Sequence, residues 1–226
     1  MDYLKNCEHS IRLINRLKKI DKQNKLDFEL INRAIYWAKK YHDGQFRKSG
    51  EPFYTHPLEV AYMVSEYSVK TDVIVTSILH DIVEDTEVTV GMIVDEFGWR
   101  IGEMVDRLTR DRPDGSKLSV QEILLGAYEK KDKEVLLIKC IDRLHNIQTL
   151  GVKSQEKINK TVEETLVNFI FLSEYLELPY ISRIIKRICV ENQQKLNKKQ
   201  TSQTEYSFSF NDNYQPLSLI YQNNLY

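Results

Sequence analysis

Glycine and proline punctuate this 226-residue chain only 8 and 5 times. A turn-rich β fold needs such residues at its many reversals, so their scarcity disfavours that class and points to long helices. The apolar pattern agrees. Between Asp27 and Tyr41, the residues Phe28, Ile31, Ala34, Ile35, Ala38 and Tyr41 recur at threes and fours, the stripe of an amphipathic helix. Thr55-His56-Pro57 reads as a helix start with Pro57 in the first turn, followed by Leu58, Ala61, Tyr62 and Met63. Thr71 or Asp72 can cap the next helix, which carries Val75, Ile78, Leu79 and Ile82; Thr89 opens a shorter one through Phe97. Further helices are predicted over 99–110, 119–130, 134–148, 154–176 and 179–191. The fold class expected is all-α.

Composition narrows the setting. Apolar residues make up 42% and charged residues 29%, the balance of an ordinary globular protein able to bury a core without staples. The 32 Lys plus Arg and 33 Asp plus Glu leave a formal charge of −1, which argues against a nucleic-acid partner. No apolar run approaches the ~18–20 residues of a membrane span, and MDYLKNCEHS lacks the basic-then-apolar pattern of a signal peptide. A cytoplasmic protein without a membrane partner is the expectation. Cys7, Cys140 and Cys189 are odd in number and widely spaced, so they offer neither a disulfide framework nor a metal knuckle. Cys140, inside an apolar run, reads as a small buried thiol.

The chain divides by character into a helical extension over 1–26, a helical domain over 27–178, a helix with polar linker over 179–200 and a polar tail over 201–226. That tail contains no Lys or Arg and only Glu205 and Asp212 as charges, but Tyr206, Phe208, Phe210, Leu217, Leu219, Ile220 and Tyr221 could dock it.

Polar residues that interrupt apolar helices carry the chemistry. His56 stands at a helix start, His80-Asp81 follows Ser77-Ile78-Leu79, and Asp142 interrupts Lys139-Cys140-Ile141. A carboxylate in a core-like helix is costly unless it is paired or ligated. Two readings fit: a buried hydrogen-bonded pair, or a cation held by two imidazoles and two carboxylates. Such a donor set suits Mn²⁺ or Fe²⁺ with open positions better than a closed thiolate zinc site. Glu84 and Asp85 come one helical turn after His80 and Asp81, where an acid could orient or deprotonate a water; the alternative is a solvated acidic helix end. In the loop from His42 to Pro52, Arg47, Lys48 and Ser49 offer a guanidinium, an ammonium and a hydroxyl. They could stack on a base, hold phosphate oxygens, or simply face solvent.

Together these segments resemble a known family. His42-Asp43-Gly44-Gln45-Phe46-Arg47-Lys48-Ser49-Gly50-Glu51-Pro52-Phe53-Tyr54-Thr55-His56-Pro57, His80-Asp81-Ile82-Val83-Glu84-Asp85-Thr86 and Asp142-Arg143-Leu144-His145-Asn146-Ile147-Gln148-Thr149-Leu150 resemble three signatures of the hydrolase domain of Rel/SpoT-type alarmone enzymes. The resemblance implies an HD-superfamily helical phosphohydrolase over 27–178 that uses Mn²⁺. Its reaction would remove the 3′-pyrophosphate of guanosine tetra- or pentaphosphate (ppGpp, pppGpp), giving GDP or GTP. Position by position it implies His56, His80, Asp81 and Asp142 as metal ligands, and Glu84 and Asp85 as the pair assisting the attacking water. It also implies Arg47, Lys48, Ser49, Asn146 and Thr149 as guanine-nucleotide contacts, with Val152 packing nearby. His145 matches a motif position but no ligand, and a structural role is expected. Bifunctional members continue into a synthetase domain; 226 residues leave no room for one, so a stand-alone hydrolase is expected. Two alternatives stay open: a hydrolase for another nucleotide such as NADPH, and a catalytically silent alarmone-binding regulator. Oligomeric state is left open.

Overall fold

The computed structural model describes residues 7–150 and 154–200, with side chains to 194; the tail over 201–226, Val152 and the first six residues lie outside that range. In it run α1 (Glu8–Ile20), α2 (Phe28–Tyr41), α3 (Thr55–Val64), α4 (Thr71–Leu79), α5 (Ile82–Asp85), α6 (Val90–Phe97), α7 (Trp99–Leu108), α8 (Val120–Glu129), α9 (Lys133–Gln148), α10 (Gln155–Tyr175) and α11 (Pro179–Gln200). Extended pairing among the described residues is limited to two isolated bridges, Phe46 with Pro52 and Asp111 with Lys117. The all-α expectation holds. No described helix is long and apolar enough to cross a membrane.

Local chemistry starts these helices where the sequence signals them. Asp27 accepts from Leu30 N at the head of α2, and Thr89 accepts from Met92 N at the head of α6. Ser119 and Glu122 form a reciprocal capping box on α8. Cys7 and Ser10 do the same on α1, with sulfur as acceptor. Gly98, at φ 89°, makes the sharp joint between α6 and α7. Four residues later a Cβ on Gly102 would overlap the Val94 side chain, so glycine is what allows these two helices to close on each other.

The described residues divide after Ile141 into two compact units, and the division falls inside α9. In the first unit α4 is the central element, packed on α2, α3 and α7. Val73 through Leu79 are all buried, as expected of a helix apolar on every side. α1 packs on α3 through a face that includes Leu13 and Leu17, so the N-terminal extension is part of this core. In the second unit α10 and α11 pair as a helical hairpin whose core includes Phe169, Leu172, Ile181 and Ile185.

Two elements differ from the sequence reading. The helix expected to run through Ile82 stops at Leu79, and a turn at His80 and Asp81 separates it from α5. Ser77 Oγ donates to Val73 O, and His80 Nδ1 lies 2.8 Å from Ser77 O, so side chains occupy carbonyls near the end of the ladder. The last helix continues to Gln200, nine residues past the expected end at Glu191. Six of its nine residues are Gln or Lys, which favour helix without any apolar stripe.

Because α1 is core-forming, Leu17→Ala should lower unfolding free energy by about 2–5 kcal/mol, as for other buried leucines. Ile11→Ala, at a residue 47% exposed on the same helix, should change it by no more than about 0.5 kcal/mol. Urea denaturation of both variants checks the pair.

Candidate metal centre

The turn between α4 and α5 sets the site. His80 ends α4 as its C-cap and Asp81 precedes α5 as its N-cap, so neighbours in sequence leave different helices. His56 enters from the first turn of α3 and is buried. Its Nε2 stands 3.3 Å from Asp81 Oδ2, and His80 Nε2 stands 3.1 Å from the same oxygen. The two imidazole rings are 5.2 Å apart at 67°. Phe53 lies against His56, ring centroids 6.2 Å apart, and stacks at 4.8 Å on the buried His42.

The hydrogen bonding fixes what these atoms can do. Ser77 O can only accept, so His80 Nδ1 carries the proton that meets it, and Nε2 is the atom turned toward Asp81. An imidazole nitrogen 3.1 Å from a carboxylate oxygen is held by positive charge between them, a proton on the ring or a bound cation. The donor set, imidazole nitrogens about a carboxylate oxygen with one ring pinned through its other nitrogen, fits a divalent cation. A possible metal site therefore exists at this turn.

The two acids behind it are held differently. Glu84 Oε1 accepts the main-chain N–H of Arg110 at 2.7 Å, at the base of the turn that pairs Asp111 with Lys117. Asp85 has its carboxyl pushed up to about 6, first by desolvation from the protein around it and then by the charges of Asp81 and Glu84; His80 and His56 act the other way. The side chain nevertheless keeps exposed surface. Such a group changes protonation near neutral pH, where a proton carrier is useful.

The loop with Arg47, Lys48 and Ser49 is closed by its own backbone. Arg47 N donates to Glu51 O, Gly50 N to Arg47 O, and Phe53 N to Gln45 O, each at 2.9 Å. Gly50 takes φ 96° in that turn. Arg47 is largely covered, with Nε 3.9 Å from Glu51 Oε1, whereas Lys48 and Ser49 are exposed.

In the second unit Asp142 is buried on α9 and accepts from Asn146 Nδ2, one turn on, at 2.6 Å. Thr149 Oγ1 donates to the carbonyls of His145 and Asn146, each at 3.3 Å. Arg143 pairs with Glu164 at 2.6 Å and lies over the Phe169 ring. The interactions that the sequence does not announce are those of Ser77, Arg110, His42 and Gln45. The only signal for the last two was their place in the first signature.

A family model described as HD domain matches residues 34–173. The chain belongs to the HD domain family. It is 32% identical over 197 residues to a GTP pyrophosphokinase of Myxococcus xanthus, covering 80% of this chain and 26% of that one. It is 33% identical over 151 residues to a guanosine-3′,5′-bis(diphosphate) 3′-pyrophosphohydrolase of Haemophilus influenzae, covering 64% and 22%. The HD-family chain thus spans about a quarter of the length of these curated relatives. The fold is similar to a solved structure reported under the words "A metazoan ortholog of SpoT hydrolyzes ppGpp and plays a role in starvation responses". The TM-score is 0.53 at 21% identity, over 74% of this chain and 95% of that one. These matches bear out the Rel/SpoT resemblance drawn from the motifs.

The raised Asp85 carboxyl is measurable directly. In metal-free protein its carboxyl carbon should titrate by NMR with a midpoint near 6 instead of the ordinary 3.8. Asp81→Asn should move that midpoint down, because it removes the second cause of the rise.

Proposed function

We propose that this HD-family chain is a divalent-cation-dependent ppGpp 3′-pyrophosphohydrolase, cleaving guanosine 3′-diphosphate 5′-di- or triphosphate to GDP or GTP and pyrophosphate. The observation that carries it is the convergence of His56 and His80 on Asp81, with Glu84 and Asp85 following on α5. Mn²⁺ is the cation that this reading assigns, with Asp142 as the fourth ligand. The place of Asp142 in the third signature supports that assignment. The relatives' names support the substrate class. In this reading 27–178 is the hydrolase domain, 1–26, 179–200 and 201–226 are its appendages, and the chain works in the cytoplasm on a small nucleotide.

When bound, the cation supplies the positive charge that polarises a phosphoryl oxygen and acidifies a water. The chain's own residues do the rest. Glu84, one oxygen fixed by Arg110 N–H, uses the other to orient the attacking water. Asp85, ionised above about 6, takes a proton from that water. Arg47 lies along the base, Lys48 and Ser49 hold phosphate oxygens, and Asn146 and Thr149 meet the nucleotide's base and ribose edges.

Purified protein with Mn²⁺ is expected to release pyrophosphate, not orthophosphate, from guanosine tetraphosphate, and chelation or Asp81→Ala should abolish release. Glu84→Gln should lower kcat by about 10²–10⁴, the usual weight of a positioned acid or base. No release across a range of Mn²⁺ concentrations overturns the reading; a preference for a nucleotide without guanine, such as NADPH, overturns its substrate.

A further inference from the structure

Gln45 sits between the nucleotide loop and the acidic helix and touches both through one amide. Its Nε2 donates to the main-chain oxygen of Asp85 at 2.7 Å, and its Oε1 lies 2.9 Å from His42 Nδ1. The direction of this chain of bonds follows from valence. A main-chain carbonyl can only accept, so the amide nitrogen must face Asp85 and the amide oxygen must face His42. His42 Nδ1 therefore carries a proton, and the ring is held flat on Phe53 with a 28° interplanar angle. Burial keeps this imidazole neutral by lowering its pKa, although the Gln45 bond opposes that shift.

The Asp85 carbonyl closes a helix of four residues, Ile82–Asp85, in which it is one of the carbonyls left over at the C-terminal end. Such a short helix holds its shape only through outside partners. At its other end Glu84 N and Asp85 N both bond to Asp81 O. Gln45 supplies the donor at the exit, directly at the residue that bears the second acid. The loop itself does not need this side chain, because the bond that anchors it at Gln45 uses the main-chain oxygen, accepted from Phe53 N.

We infer that Gln45, oriented by His42, is a positioning residue that fixes the α5 backbone and with it the aim of the Asp85 carboxylate. This rests on the reading of Glu84 and Asp85 as the pair that assists water. Removing the amide leaves the nucleotide loop closed and frees the acid. The consequence is a loss in kcat with little change in KM.

The test compares Gln45→Met, similar in volume without the polar atoms, with Gln45→Glu, similar in shape and still an acceptor for His42 but without the donor. Both should lower kcat for pyrophosphate release roughly tenfold, the scale of a sub-ångström misplacement, and leave KM for guanosine tetraphosphate within about twofold. In an Asp85→Asn background, Gln45→Met should have no further effect, because the acid it positions is already gone. A raised KM at unchanged kcat, full activity of Gln45→Glu, or independent losses in the double variant would each overturn the inference. If the parent protein releases no pyrophosphate, it is the functional reading that fails. The clamp is then decided by NMR: slow exchange of the Gln45 side-chain amide supports it, and free exchange overturns it.

Discussion

The convergence of two imidazole nitrogens on one carboxylate oxygen organises the first of the two units. His80 Nε2 and His56 Nε2 lie 3.1 and 3.3 Å from Asp81 Oδ2, and both rings are buried. Burying such a group is unfavourable unless positive charge joins it, so the fold spends core structure on holding the arrangement ready. The buried helix α4 carries His80 at its C-cap, the first turn of α3 brings His56, and Asp81 follows as the N-cap of α5. A continuous helix would have sent His80 and Asp81 about 100° apart around its axis.

The same break explains why the two acids differ. Because α5 is short, its side chains take their positions from neighbours: Glu84 from a main-chain N–H of the 110–118 turn, Asp85 from a backbone held at Gln45. One acid is fixed by its carboxylate and the other through its main chain. In the proposed reaction the first would suit orientation of a water and the second a group whose proton comes and goes.

Much of the frame was legible because packing writes a period into sequence. The stripe in α2 and Thr89 at the head of α6 announced their helices directly. The end of α4 was not legible, since His and Asp are compatible with a helix and the break depends on where Ser77 and His80 send their polar atoms. The far end of α11 was missed for the opposite reason: its residues favour helix but carry no apolar period. At the site, ligand-capable residues showed themselves as polar intrusions into apolar runs. Gln45 did not, because an amide in a polar loop has no pattern until residue 85 is folded beside it.

Cys140 gives the centre a further property. It lies on α9 two residues before Asp142, is fully buried, and has its thiol pushed up to about 12 by desolvation alone. Two helical positions put it on nearly the opposite side of α9 from that carboxylate. A sulfur that stays protonated is a poor donor, and one that faces the core cannot swing round to help. Under the proposed ligand assignment, thiophilic ions such as copper(I) or cadmium would gain no sulfur donor from this neighbour in sequence. In the proposed centre, metal discrimination would be set as much by the thiol kept out of reach as by the groups presented.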